Sequence, residues 1–273
     1  MTTVGDAIAA LDAAYPPRLA ADWDAVGLVC GDPAEPLTAV LVCVDPVPAT
    51  VDEAVEGGAQ LLLAHHPLLL RGVHGVGADT PKGALLHRLV RAGAALFTAH
   101  TNADSADPGV SDALAQAIGV RELRPLDARA GNPELGIGRV GELEEAEPLA
   151  AFARRVAAAL PGTSGGVRVA GDPERPVRTV AVCGGAGDTF FGAARAAGAD
   201  VYVTADLRHH PASEALEAGG LALVDVAHWA SEWPWLEGAA RTLRSALGAA
   251  GTNVETYVST LVTDPWTAHV AAG

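Results

Sequence analysis

Three short strings in this chain place histidines, in two of them with a carboxylate, at spacings that suit a metal ion: Ala64-His65-His66-Pro67, His100-Thr101-Asn102-Ala103-Asp104 and His228-Trp229-Ala230-Ser231-Glu232. In the last two an acid follows a histidine by four residues, a separation that puts both on one face of a helix. Imidazole nitrogens with carboxylate oxygens favour a hydrolytic divalent ion such as Zn, Fe, Mn or Co over a thiolate-bound one. Each string follows an apolar run: Leu61-Leu62-Leu63, Ala95-Leu96-Phe97 and Leu221-Ala222-Leu223-Val224. One such string is weak evidence. Three at the mouths of expected strands point to a metal site.

The settings of these residues differ. Neighbours on a strand face opposite ways, so His65 and His66 serve one site only where the strand ends. Pro67, lacking an N–H, helps to end it; a pair of capping or loop histidines is the plain alternative. Thr101 and Asn102 suggest a turn in which His100 and Asp104 diverge. Asp104 is then the ligand, and His100 sits behind it or acts as a general acid–base. Glu232 is the expected bridge between two ions, which in two-metal hydrolytic sites lie roughly 3.5–4 Å apart. Its competing role is to cap the helix that begins near Pro234-Trp235.

Two weaker signals concern substrate. Gly184-Gly185-Ala186-Gly187-Asp188 lies between an expected strand and helix, where glycines can cradle phosphate. It matches neither a dinucleotide fingerprint nor a P-loop, and a tight turn explains Gly184 and Gly185 more simply. His209-His210-Pro211 repeats the earlier His-His-Pro string, so His209 and His210 either contact substrate or cap the helix that follows. Trp229, Trp233 and Trp235 lie close to the third string; a cleft lining, a subunit contact and ordinary core packing all accommodate them.

The elements that must hold these residues alternate between strand and helix. Helices are expected over 4–14, 49–56, 81–91, 110–118, 148–160, 190–197, 211–218 and 234–248. Strands are expected over 38–44, 60–64, 95–99, 139–143, 166–170, 177–183, 200–205, 221–226 and 253–262. Continuous apolar runs such as 38–44 are typical of strands covered on both faces, and the alternation is that of an α/β protein. Residues 121–138, rich in Gly and Pro and without an apolar period, mark the expected boundary between a lobe over 1–125 and a second over 126–273. The C-terminal part of the second is allowed to pack back on the first.

The two lobes look related. Val40-Leu41-Val42-Cys43 recurs as Val180-Ala181-Val182-Cys183, and Gly58-Ala59-Gln60-Leu61-Leu62-Leu63 as Gly198-Ala199-Asp200-Val201-Tyr202-Val203, both at an offset of 140 residues. The two His-x-x-x-acid strings match at 128, so the second copy is shorter. At the first offset His65-His66 falls opposite Ala205-Asp206. Duplicated halves facing each other would bring the strings to one cleft.

Composition narrows the partners. With 33 acidic and 18 basic residues the formal net charge is −15, which repels a polyphosphate backbone, so nucleic acid is not an expected partner. No run reaches the roughly 18 apolar residues of a membrane span, and the N-terminal residues carry no secretory signature. Cys30, Cys43 and Cys183 are odd in number and far apart, as expected of reduced core thiols in a cytoplasmic protein.

Together the motifs resemble the GTP cyclohydrolase I type 2 homologues, the NIF-three-like dinuclear-metal proteins. The matching strings are Asp22-Trp23-Asp24-Ala25-Val26-Gly27-Leu28, Ala64-His65-His66-Pro67, His100-Thr101-Asn102-Ala103-Asp104, Val182-Cys183-Gly184-Gly185-Ala186-Gly187 and His228-Trp229-Ala230-Ser231-Glu232. The resemblance implies two related α/β lobes with the metal site in the cleft between them, assembled as a homohexameric ring. It also implies two divalent ions per subunit, held by His65, His66, Asp104, His228 and Glu232. Two departures stand out: Ala25 where the family usually has Asn, and Pro108-Gly109-Val110-Ser111 where it often has Gly-Gly-Val-Asn. Two functions follow as expectations. One is a metal-dependent hydrolase of a small nucleotide-like or phosphorylated substrate, with GTP ring opening implied by the family name alone and His100 moving a proton. The other is a non-enzymatic metal-binding regulator, metal chaperone or scaffold.

Overall fold

The computed structural model describes residues 1–249, 251 and 253–271. They form two compact units: Met1–Ala106 with Leu236–Thr263, and Asp107–Trp235 with the residues from Asp264 onward. The first unit begins with α1 (Val4–Ala14), β1 (Gly27–Cys30), β2 (Ala39–Cys43), α2 (Pro48–Glu56), β3 (Leu61–Ala64), α3 (Pro81–Arg91), β4 (Ala95–Thr98) and α4 (Thr101–Ser105). The second contains α5 (Val110–Ala117), β5 (Arg121–Arg129), β6 (Asn132–Pro148), α6 (Leu149–Ala159), β7 (Arg168–Ala170), β8 (Pro176–Ala186), α7 (Phe191–Ala196), β9 (Val201–Ala205), α8 (His209–Glu217), β10 (Ala222–Val226) and α9 (His228–Glu232). Then α10 (Trp235–Ala249) and β11 (Glu255–Val258) return the chain to the first.

The apolar runs become buried strands for a simple reason. Every residue of β2, β3 and β9 is buried, so each side chain, whichever face it takes, is removed from water. Burying a Leu or Val this way contributes about 1.5–3 kcal/mol. On one face Leu41, Leu62 and Leu96 pack with Val51 of α2 and Leu85, Leu86 and Leu89 of α3. Helix starts are locally encoded. Thr3 accepts from the Asp6 N–H, and Asp6 accepts in return from the Thr3 N–H at 2.8 Å, which satisfies two end donors reciprocally. Thr80 caps α3 ahead of Pro81, a proline placed where its missing N–H costs nothing.

The duplication is written in the strand pairing. The first sheet runs β1-β4-β3-β2-β11 and the second β5-β6-β8-β9-β10-β7. In the first, β2, β3 and β4 are parallel and β1 lies antiparallel against β4. In the second, β8, β9 and β10 are parallel and β7 lies antiparallel against β10. Val40 pairs with Leu61 and Val180 with Val201, so the 140-residue offset is kept by both strands and their register.

Residues 121–138 are not a linker. They form all of β5 and the start of β6, an antiparallel hairpin at the edge of the second sheet. Most of β5 is solvent-exposed, so no apolar period betrays it. Its glycines allow close approach instead of breaking the chain. A Cβ at Gly136 would come within 2.2 Å of the Asp127 carbonyl oxygen, and Gly138 sits at φ +67. No helix among the described residues is long and apolar enough to cross a membrane.

Candidate functional site

In the first unit the carboxyl ends of β3 and β4 carry the histidines. Parallel pairing continues one step beyond Ala64: the N–H groups of His65 and His66 donate to the carbonyls of Cys43 and Val44 at 3.0 and 2.9 Å. With the backbone held through the turn at Pro67, the two rings come to one place, their centroids 5.2 Å apart. His100 follows β4 and joins them, its ring 5.3 Å from that of His65 and 5.6 Å from that of His66. One ring nitrogen from each of the three lies within 4.8 Å of those of the other two. Asp104 Oδ1 is 3.7 Å from His65 Nε2.

This arrangement differs from the expectation that His100 stands behind Asp104. The segment after His100 is a short helix, not an open turn: the Asp104 N–H donates to the His100 carbonyl at 3.0 Å. His100 is its N-cap residue, and its ring stands level with those of His65 and His66.

The second unit presents its own group, also at strand carboxyl ends. His228 and Glu232 sit one turn apart on α9, with Nε2 3.0 Å from Oε1. Glu232 is buried, and a helix-capping role does not account for its contact with the ring. Gly184 and Gly185, near the end of β8, lie against this pair. A Cβ on Gly185 would lie 2.6 Å from Glu232 Oε1 and 3.0 Å from His228 Nε2, and its φ of +68 is one that L side chains rarely adopt. The Gly185 N–H donates to Ser231 Oγ at 2.8 Å, and Ser231 donates to the His228 carbonyl at 2.7 Å. These glycines therefore make room for the acid and the imidazole. The helix after them, α7, is only Phe191–Ala196, too short for the phosphate cradle the glycine string suggested.

The histidines of both groups share one feature. His65 Nδ1 is bonded to the Ala99 carbonyl at 2.8 Å, His66 Nδ1 to Asp45 at 2.7 Å, His100 Nδ1 to Asp24 at 2.8 Å and His228 Nδ1 to Asp206 at 2.7 Å. A carbonyl or an ionised carboxylate can only accept, so Nδ1 carries the proton in all four. Nε2 is then the nitrogen with the lone pair, the arrangement found behind metal-ligating histidines. In His65 and His228 that nitrogen faces a carboxylate oxygen. Two electron-rich atoms so placed repel unless a cation, a proton or a metal, lies between them. The donor set fits a borderline or hard divalent ion, and the residues present could hold one.

The carboxylates behind the rings were not singled out from sequence. Burial alone would raise the Asp24 carboxyl, but hydrogen bonds from His100 and Thr101 hold it well below the usual carboxylate range. It also accepts from the Thr101 N–H at 3.0 Å. Asp45 accepts from Thr263 as well as from His66. Asp206 takes φ +57, a left-handed conformation that costs a non-glycine residue roughly 1–2 kcal/mol and tends to persist at functional positions. The signals were present: Asp24 lies in the Trp23-Asp24 string, and Asp206 stands at the duplication partner of His66. Burial, with Asp45 adding to it, pushes the Cys43 thiol up, and burial does the same to Cys30, so neither offers a thiolate.

Three independent comparisons bear on this geometry. The model of the DUF34/NIF3 family (NGG1p interacting factor 3) matches residues 2–265. The chain belongs to the DUF34/NIF3 family. Among its relatives, a Streptomyces coelicolor protein described as a GTP cyclohydrolase 1 type 2 homolog is 53% identical over 274 residues, covering 100% of this chain and 96% of the relative. A Mycobacterium tuberculosis protein of the same description is 41% identical, with 96% of each chain covered. A Staphylococcus aureus hypothetical protein superposes with a TM-score of 0.90 at 27% identity, covering 97% of this chain and 99% of that one. A Bacillus cereus protein related to NIF3 gives a TM-score of 0.89 at 25% identity, covering 97% and 98%. The α/β architecture with two sheets is thus that of NIF3-family structures.

The remaining residues of interest fall elsewhere in this NIF3-family chain. Trp229 and Trp235 are buried core side chains, so they do not line an open cleft. His209 and His210 are the first two residues of α8 instead of preceding it. Their rings meet edge to face, 5.1 Å between centroids.

Proposed function

We propose that this NIF3-family chain binds two divalent ions and uses them to hydrolyse a small nucleotide-like or phosphorylated substrate. The observation that carries the reading is the set of four histidines whose Nδ1 atoms are each committed to a fixed acceptor. Such bonds cost orientation freedom and are worth building where Nε2 must be presented in one direction. His65, His66, His100, Asp104, His228 and Glu232 are the residues that would hold the ions. When bound, a divalent ion polarises a substrate oxygen and lowers the pKa of water. The chain's own part is to fix the imidazoles through Asp24, Asp45, Asp206 and the Ala99 carbonyl. The names borne by the relatives suggest a purine nucleotide as the first compound to try.

Protein purified without chelators, or reconstituted, should carry close to two transition-metal ions per chain by elemental analysis. No more than a trace of metal after reconstitution would sink the dinuclear reading. The metal-loaded protein should then turn over a member of a nucleotide and phosphoester panel, and lose that turnover on chelation. Two ions with no turnover across the panel would leave a metal-binding regulator, chaperone or scaffold as the function.

The family resemblance further supports a homohexameric ring in the cytoplasm as the working form. Sedimentation at micromolar concentration should give a mass near six chains, and a monomer would refute the ring.

A further inference from the structure

In the second unit Arg168 and Arg208 line one cavity of about 400 Å³, together with His209 and Ser213. We propose that this cavity binds the phosphoryl group of the substrate, a reading that rests on the hydrolase assignment above and names the part of the substrate held away from the metal ligands.

Both guanidinium groups are anchored in a way that leaves donors for a ligand. Arg168 donates from Nε to Asp225 at 2.7 Å and from NH2 to the Leu207 carbonyl at 3.2 Å. Arg208 donates to Asp188 from Nε at 3.1 Å and also from NH2. In neither residue does NH1 take part in these bonds. A guanidinium fixed along one edge keeps its planar fork in a set direction, which suits two-point recognition of a phosphoryl oxygen pair. The two side chains remain 68% and 74% exposed, so a ligand can reach them. The chain as a whole carries −15, and long-range attraction therefore does not draw anions here. Recognition is short-range, which favours a small phosphate ester over a nucleic-acid backbone.

The neighbouring space sets the size of the ligand. Arg168, Leu207 and Asp225 also line a second cavity of about 670 Å³, whose wall includes His228 and its partner Asp206. The Arg168–Asp225 pair is thus a wall common to both cavities. A molecule whose phosphoryl group rests on Arg168 and Arg208 extends past that wall toward His228. Trp266, 72% exposed, stands on the wall of the larger cavity and offers an aromatic face for a planar ring. The ligand class is a phosphate monoester of a ring compound, about the size of a nucleoside monophosphate. Cavities of some 300–1,000 Å³ are the usual size for such ligands.

The experiment compares binding of adenosine and guanosine with that of their monophosphates, by calorimetry on the metal-loaded full chain and again after chelation. Wild type, Arg168→Gln and Arg208→Gln are measured, each with elemental analysis and circular dichroism. The wild type should bind the monophosphates at least about tenfold more tightly than the nucleosides, the gain typical of charge-assisted hydrogen bonds. That preference should persist without metal and fall toward one in each variant, while folding and ion count match the wild type. Arg208→Gln alters an exposed side chain and serves if Arg168→Gln fails to fold. No preference in the wild type, or an undiminished one in folded Arg208→Gln, overturns the proposal. So does a preference that disappears on chelation and ignores the arginines, because the phosphate is then on the metal. An arginine-dependent preference in a chain that binds no metal would support the phosphoryl site while sinking the hydrolase reading.

Discussion

His100→Asn should cost the chain metal, lowering the count below the close to two ions per chain expected of the wild type. The ring of His100 stands with those of His65 and His66, and its Nδ1 is fixed by Asp24 at 2.8 Å. Asparagine can keep a hydrogen bond to Asp24 but supplies no second ring nitrogen on the far side. The loss of a direct ligand exceeds the 10–100-fold in affinity typical of removing an outer partner. A chelator titration followed by elemental analysis reads the result, with circular dichroism as the folding control. Two ions retained at wild-type affinity would return His100 to the role of proton carrier, with its effect confined to turnover.

Gly185→Ala should cost the ion beside His228 and Glu232 without replacing any ligand. The added Cβ would lie 2.6 Å from Glu232 Oε1 and 3.0 Å from His228 Nε2, in the space a shared cation must use. Something has to move, and Glu232, buried at 3% exposure, has little room to do so. The backbone adds its own cost, because φ is +68 and alanine there loses roughly 1–2 kcal/mol. In metal-free protein that strain should lower Tm by roughly 2–8 °C, given about 2–4 °C per kcal/mol for domains of this size. Glu232→Gln separates the two effects. It keeps the side chain's shape and the backbone of Gly185, so Tm without metal should hardly change while the ion is lost. Gly185→Ala protein that keeps a full metal count would mean His228 and Glu232 do not hold an ion.

Some of the fold was legible residue by residue. Strands β2, β3 and β9 are continuous apolar runs because both faces are covered, and burial of that kind leaves a pattern in any ten-residue window. The expected bounds of α1 and α3 agree with the helices, whose ends are set within one turn by caps at Thr3 and Thr80 and by Pro81. The hairpin at 121–138 was not legible. Its strands are held by pairing with a neighbour while most of β5 faces water, and a backbone ladder leaves no apolar period behind.

For the site, the sequence by itself determined which chemistry is available: a histidine pair and two His-x-x-x-acid strings, each at the end of a strand, in halves whose 140-residue offset survives in the strand register. Residue type and local spacing suffice for that, since strand ends and helix faces are set by near neighbours. Only the tertiary structure decided which nitrogen of each ring is presented. The acceptors that fix the tautomers of His65, His66, His100 and His228 come from 34, 21, 76 and 22 residues away in sequence. The structure also moved His100 in among the other imidazoles and gave Gly185 its task of clearing space beside Glu232. A histidine's chemistry depends on the partner of its other nitrogen, and that partner is delivered by the folding of a distant segment, which no local spacing encodes.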